Sequence, residues 1–299
     1  MILKARALTC GFFLLTTLPV QTAATARREP VAIVYQLTGE AQRVEPGRSR
    51  EPVRLFDRLP AGTTLELAPG SRLALAFVTG KRYEIYGKAR AALGKGDLGA
   101  RSGGVRSLPS VPPLPRLAPI AEDDHPGPSA GAVRIRSERI EGLYPHCGTA
   151  VLAGETTLRF QLVTGAGKYR IEVRDRQDHV IFETETTDSV VHLPAEVLEP
   201  GLRYRWTVST VERVGPVARG EADLVTLRQN TAEAREALRK SVEAAGDDDS
   251  LALLAGVDQS LGLLAEAREE LRTALLKSPG DTALAEALAA LERRLEEIP

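Results

Sequence analysis

The sequence predicts a multidomain chain: two small all-β domains followed by a short α-helical bundle. Three observations predict it. Residues 30–99 and 131–228 each alternate apolar and polar positions at period two and are broken by turn residues, as short antiparallel strands require. Between Pro109 and Pro128, seven prolines stand in 20 residues, a composition that sustains neither sheet nor helix. From residue 229 onward apolar residues recur at helical spacing, and Glu233-Ala-Arg-Glu-Ala-Leu-Arg-Lys-Ser-Val242 is echoed 33 residues later by Glu266-Ala-Arg-Glu-Glu-Leu-Arg-Thr-Ala-Leu275.

The elements follow in chain order. Residues 1–26 read as a secretory signal peptide: Lys4 and Arg6 precede an apolar stretch from Ala7 to Val20, and Ala24-Thr25-Ala26 offers a small-residue cleavage site before Arg27. The apolar stretch is too short, and too interrupted by Thr and Pro19, for a membrane span. The expected mature chain is soluble, without an integral membrane span, in the periplasm or otherwise associated with the envelope.

In residues 30–99 the alternating runs are Val31-Ala-Ile-Val-Tyr35 before Gly39, Thr64-Leu-Glu-Leu67 before Pro69-Gly70, and Leu73, Leu75 and Phe77 interleaved with Ala74 and Ala76. Tyr83, Ile85 and Ala89 continue the pattern. The order of Val34-Tyr-Gln-Leu-Thr-Gly39, Pro52-Val-Arg-Leu55, Leu59-Pro-Ala-Gly62, Ala68-Pro-Gly-Ser71 and Leu73-Ala-Leu-Ala-Phe77 resembles the FecR domain. That resemblance implies a sensor or interaction module of the bacterial envelope. The anti-sigma segment and membrane span of the well-known members have no counterpart here, so it does not imply direct control of a sigma factor. Residues 100–130 read as a Pro/Gly-rich linker, a semi-rigid spacer between independently folded parts; Leu108-Pro-Ser-Val-Pro-Pro-Leu-Pro115 also has the form of a proline-groove ligand.

Residues 131–228 hold six strand candidates: Leu158–Leu162, Tyr169–Val173, His179–Phe182, Val190–Leu193, Tyr204–Val208 and Ala222–Leu227. Their turn signals recur at sandwich spacing. Leu198-Glu-Pro-Gly-Leu-Arg-Tyr204-Arg-Trp206 resembles the tyrosine-corner approach of a fibronectin type III domain, and Gly165-Ala-Gly-Lys-Tyr169 resembles its third-strand entrance. Trp206, the single tryptophan, is expected in the core rather than stacked on a ligand.

Residues 229–299 are expected as a small bundle of four helices. From Asp248 to Asp281 the positions of Leu251, Leu254, Ala255, Gly262, Leu264, Ala267, Leu271, Ala274 and Pro279 resemble a tetratricopeptide repeat, with a plain helical hairpin as the alternative. Small Ala residues let two helices approach, Gly262 opens the turn, and Pro279 stops the second helix. Asp258 departs from the pattern, standing where such repeats carry a large aromatic residue. A closing helix from Thr282 to about Glu297 carries the stripe Ala283, Leu284, Ala287, Leu288, Leu291 and Leu295, whose apolar surface is expected to dock on a second copy, the adjacent sandwich or a partner.

Charge is near balance overall at −1, but residues 27–130 carry 16 basic and 11 acidic side chains, whereas residues 229–299 carry 8 and 15. The opposed ends can attract each other or steer partners. The basic half lacks the dense Lys/Arg clusters and stacking aromatics of nucleic-acid binding, so no nucleic-acid partner is expected. With Cys10 in the signal segment, Cys147 stands alone and no disulfide framework forms within the chain.

No chemistry-bearing constellation stands out. Gly94-Lys-Gly-Asp-Leu-Gly99 has dinucleotide-loop spacing, but Ser102-Gly103-Gly104 and prolines follow where a helix is needed. His125, His146, His179 and His192 are scattered, and Asp247-Asp248-Asp249 reads as a helix cap rather than a calcium loop. No catalytic, metal-ligating or cofactor-binding residue is put forward, and no cofactor is expected. The sequence thus reads as a non-enzymatic periplasmic or envelope scaffold or sensor. It would engage other envelope proteins through its helical end or β domains, with self-association as a further possibility. A ligand-binding module for a cell-wall glycan or other polymer is the alternative, against which the 4% aromatic content argues.

Overall fold

The computed structural model describes residues 29–117, 138–146, 149–154, 156–213 and 217–296. The expected signal segment, Cys147, His125 and Asp123-Asp124 lie outside the described residues.

Eight strands build the first unit: β1 (Pro30–Thr38), β2 (Ala41–Val44), β3 (Arg50–Pro52), β4 (Arg58–Pro60), β5 (Thr64–Leu67), β6 (Arg72–Phe77), β7 (Arg82–Leu93) and β8 (Leu98–Leu108). They form one antiparallel sheet in the order β3-β2-β5-β7-β6-β1-β4, with β8 on the far side of β7. Period-two alternation has an unusual consequence here, because both faces of β1 and β6 are buried. Ala32, Val34, Leu73, Leu75 and Phe77 fill the unit's own core, while Ile33, Tyr35, Ala74 and Ala76 face the other way into a second one.

Two departures from expectation occur here. Strand pairing continues to Leu108, past the anticipated limit at 99, because Ser102-Gly103-Gly104 is strand rather than loop. Gly104 sits opposite Tyr86, and a Cβ there would lie 2.2 Å from the ring, so only glycine lets that aromatic cover the strand. Residues 109–117, expected as part of a spacer, are instead a packed strap. Val111 N–H donates to Gly80 O and Leu114 N–H to Val78 O, both at 3.0 Å. Arg82 Nε donates to Pro109 O at 2.6 Å, and Leu114 and Leu117 are buried. The prolines lack donors, yet the non-proline positions between them supply both the hydrogen bonds and the apolar anchors.

The second unit contains β9 (Glu138–Arg139), β10 (Thr149–Val151), β11 (Thr156–Arg159), β12 (Ala166–Arg174), β13 (Val180–Thr186), β14 (Val190–Leu193), β15 (Arg203–Arg213) and β16 (Ala218–Thr226). One sheet runs β10-β16-β15-β12-β13 with β9 on β16; β11 and β14 form the opposing pair. All six expected strands are present, and β9 and β10 add short parallel pairings to β16. The tyrosine corner forms, with the Tyr204 hydroxyl accepting from Glu199 N–H at 2.8 Å. Trp206 is fully buried among Ile171, Val173 and Val208, its indole N–H donating to Pro145 O at 2.8 Å.

Four helices complete the chain: α1 (Gln229–Ala245), α2 (Asp248–Leu261), α3 (Leu264–Lys277) and α4 (Thr282–Glu296). Asp247 caps α2, accepting from Ser250 N–H at 2.6 Å. Gly262 closes α2 at φ 80°, and α3 ends at Lys277, immediately before Ser278-Pro279. Ala255, Ala267 and Ala274 let the helices approach, with Leu264, Leu271, Leu284 and Leu291 filling the seam.

Much of the apolar face of this bundle is covered within the chain, by the N-terminal sheet and, through Ala150 and Leu227, by the sandwich. Gly256 of α2 packs on Phe56 and Ile33; a Cβ there would lie 2.4 Å from the Phe56 ring. Phe56 holds φ 66°, a conformation costly for a bulky side chain, where that contact is made. Around it a central core draws Ile33 and Tyr35 from the sheet, Leu114 and Leu117 from the strap, Ala150 and Leu227 from the sandwich, and Leu238, Leu253 and Val257 from the helices. Among the described residues, no helix is long and apolar enough to cross a membrane.

Candidate functional site

Where the sandwich meets the helices, two contiguous cavities of about 590 and 520 Å³ open along one groove, sharing Tyr144, Arg159, Ala265 and Arg268. Backbone hydrogen bonds fix its walls. Ala150 N–H donates to Gly262 O at 2.9 Å, tying β10 to the α2–α3 turn. Tyr144 and Arg159 exchange backbone bonds of 2.9 and 2.7 Å, holding the 141–146 segment on β11. Burial raises the pKa of Tyr144 well above that of a free phenol, so its hydroxyl stays protonated beside the backbone of Ala265.

The first cavity is lined by Arg139, Glu141, His146, Gln161 and Leu295 besides the shared residues. No carboxylate among the described residues pairs with Arg139 or Arg159 within 4.0 Å. Arg268 contacts Glu269 at 3.1 Å. The second cavity is lined on its helical side by Arg235, Glu266, Glu269 and Glu270, and on its sandwich side by Thr156 and Thr157.

Beneath that helical wall lies a buried ionic cluster. Arg235 Nε donates to Asp258 Oδ1 at 3.0 Å, and its Nη2 donates to Asp258 Oδ2 and, at 3.1 Å, to Glu270 Oε1. The Asp258 side chain is 0% exposed, Arg235 7% and Glu270 14%. Two acids, Asp258 and Glu270, thus bond one guanidinium, and Glu266 lies close enough for its charge to be felt there. Burial and the negative charge of Asp258 push Glu270 far up out of the carboxylate range, so that it holds a proton beside the Asp258 carboxylate. Burial raises Glu266 as well. Glu266 Oε2 and Glu270 Oε2 are buried without a protein partner. Such perturbed acids in a cleft mark the default place to look for function.

The sequence flagged Asp258 as a departure but not its reason: the aromatic that the repeat pattern wants is replaced by one half of a buried ion pair. Its partner was not legible, because Arg235 and Arg268 occupy equivalent places in the echoed motif, yet only Arg235 is buried. Glu270 breaks the echo, standing where Ala237 stands in the first copy. Elsewhere the histidines stay apart. His146 lines the groove with its Nδ1 2.9 Å from Thr149 Oγ1, His179 lies by Asp175, and His192 by Thr157. Among the described residues, no group of three or more His, Cys, Asp or Glu is placed to hold a metal ion.

No known protein family and no curated protein matches this sequence. Solved structures similar to parts of it include a fibronectin type III variant titled FN3tt mut, at 15% identity over 28% of this chain and 92% of that one, with a TM-score of 0.22. A two-domain fibronectin type III segment of chicken tenascin is 10% identical over 68% and 87%, with a TM-score of 0.24. CopC from Methylosinus trichosporium OB3b is 18% identical over 30% and 93%, also at 0.24. Scores this low carry no argument. The sandwich rests on its own strand order, on Tyr204 and on Trp206.

Proposed function

We propose that this chain is an exported, non-enzymatic interaction protein of the cell envelope, a scaffold or sensor whose partner site is the groove between sandwich and helices. The observation that carries this reading is the groove's construction: its two walls come from different modules, locked together by one central core. A concave surface of mixed charge suits recognition of a polypeptide, and Arg139 and Arg159 at one end, without a carboxylate partner among the described residues, give it polarity. FecR-like and tetratricopeptide-like ancestry for the first and last modules belongs to the same proposal. So does export with removal of residues 1–26, which N-terminal sequencing of the mature protein tests.

Photo-crosslinking tests the groove. A photoreactive residue at Gln161, exposed on the groove wall, should capture an envelope protein in native membranes, whereas one at Arg176, in the β12–β13 turn outside both cavities, should not. Equal capture at both positions, or none at either, overturns the groove as the partner site. Retention on purified cell-wall polymer instead would favour the glycan-binding alternative.

A further inference from the structure

The cluster beneath the groove has more acid than one guanidinium can neutralise. Arg235 on α1 serves Asp258 on α2 and Glu270 on α3 at once, and Glu266 lies one turn before Glu270. From the sandwich side, Tyr144 and Arg159 face the same cavity, with Arg268 and Glu269 at its mouth. Arg159 and Arg268 act on Tyr144, while Arg235 is the cation that acts on Glu266 and Glu270. With Glu270 protonated, the cluster sets one negative charge fewer around its single guanidinium. With that proton lost to solvent, two adjoining carboxylates face each other, and the bare Oε2 atoms of Glu266 and Glu270 require water. The 520 Å³ cavity, lined by Glu266 and Glu270, is large enough to admit it.

We propose that the Arg235–Asp258–Glu266–Glu270 cluster is a proton-dependent latch: protonated, it holds the α3 wall of the groove against α1 and α2; deprotonated, it draws water in and loosens that wall. The buried, raised carboxyls support this direction, since a folded state that retains a proton is favoured as pH falls. An interaction site so built changes shape with external pH whichever partner it takes.

Backbone amide exchange on the full chain tests it. With rates corrected for the intrinsic pH dependence of exchange, protection of 264–277 should fall by about tenfold or more between pH 5.5 and 8.5, relative to β12 and β15. In Glu270→Gln, which keeps the size and the donor, that differential fall should vanish; Glu266→Gln should reduce it. Should the variants fold poorly, carboxyl-carbon NMR of the wild-type chain decides, with Glu270 expected to titrate above neutrality. A pH-independent α3, an unchanged fall in Glu270→Gln, or an ordinary Glu270 midpoint near 4.5 each overturns the proposal.

Discussion

Replacing Arg235 with Met removes the cation from Asp258 while keeping a stem of similar shape. Asp258 is wholly buried and takes its ion pair from that guanidinium alone, so the orphaned carboxylate would take a proton instead of remaining charged. Holding a proton at pH 7 on a group that titrates at 3.8 when unfolded costs about 3 pK units, or roughly 4 kcal/mol. This agrees with the roughly 3–5 kcal/mol found when one half of a buried pair is removed. The sign with pH follows. In the variant, the folded pKa of Asp258 lies far above the unfolded one, so the loss shrinks as pH falls, by about 2–3 kcal/mol between pH 7 and 5. Adding Asp258→Leu removes the orphan and supplies the apolar bulk that the repeat pattern prefers. The double variant should recover to near wild type, or exceed it by about 1 kcal/mol or more. Urea unfolding followed by Trp206 fluorescence and far-UV circular dichroism, at pH 5 and 7, measures all four corners of the cycle. A single variant as stable as the double, or a loss independent of pH, would refute the reasoning.

Other outcomes follow from the same contacts. Tyr204→Phe leaves Glu199 N–H without its acceptor and should cost about 1–2 kcal/mol in urea unfolding, with the fold kept. Gly256→Leu drives a side chain into Phe56 and should destabilise by about 1–3 kcal/mol while exposing residues 109–117 to protease, which should spare them in the wild type. Leu117→Asp places a charge in the central core and should broaden unfolding of sheet and helices together, seen as simultaneous loss of amide protection in both. The stabilising contribution of Glu266 and Glu270 is complete below their ordinary 4.5 and lost as pH rises through their raised folded values; Glu266→Gln/Glu270→Gln should flatten that decline in denaturant titrations.

What could be read from the sequence was local. Alternation located β1, β5, β6, β7 and six sandwich strands but not the short β2, β3, β4, β9 and β10 or the glycine-rich β8; Asp247 and Gly262 bounded α2, and Leu198 to Trp206 announced the corner, because each is decided within a few residues. What escaped was decided at a distance. The strap looked like a spacer because prolines dominate its composition, whereas Leu114 and Leu117 owe their burial to helices more than a hundred residues later. Ala74 and Ala76 gave no sign of a second buried face, since small residues suit a solvent face as well as a close helix contact. Ser102-Gly103-Gly104 passed for loop because its pairing depends on Tyr86 lying across it. The ionic cluster required knowing which of two equivalent arginines faces inward, and only packing decides that.

The central core also has a consequence in time. Ile33, Tyr35, Ala74 and Ala76 are made early, but the helices that cover them are made some two hundred residues later. At ribosomal rates of roughly 5–20 residues per second, the sheet waits about 10–40 s with an apolar face bare. The nascent first unit can complete its inner core, but for that interval its outer face is a sticky surface. Holdase chaperones, or threading through a translocon before folding, would shield it. A stalled or truncated chain ending before α2 should aggregate for the same reason.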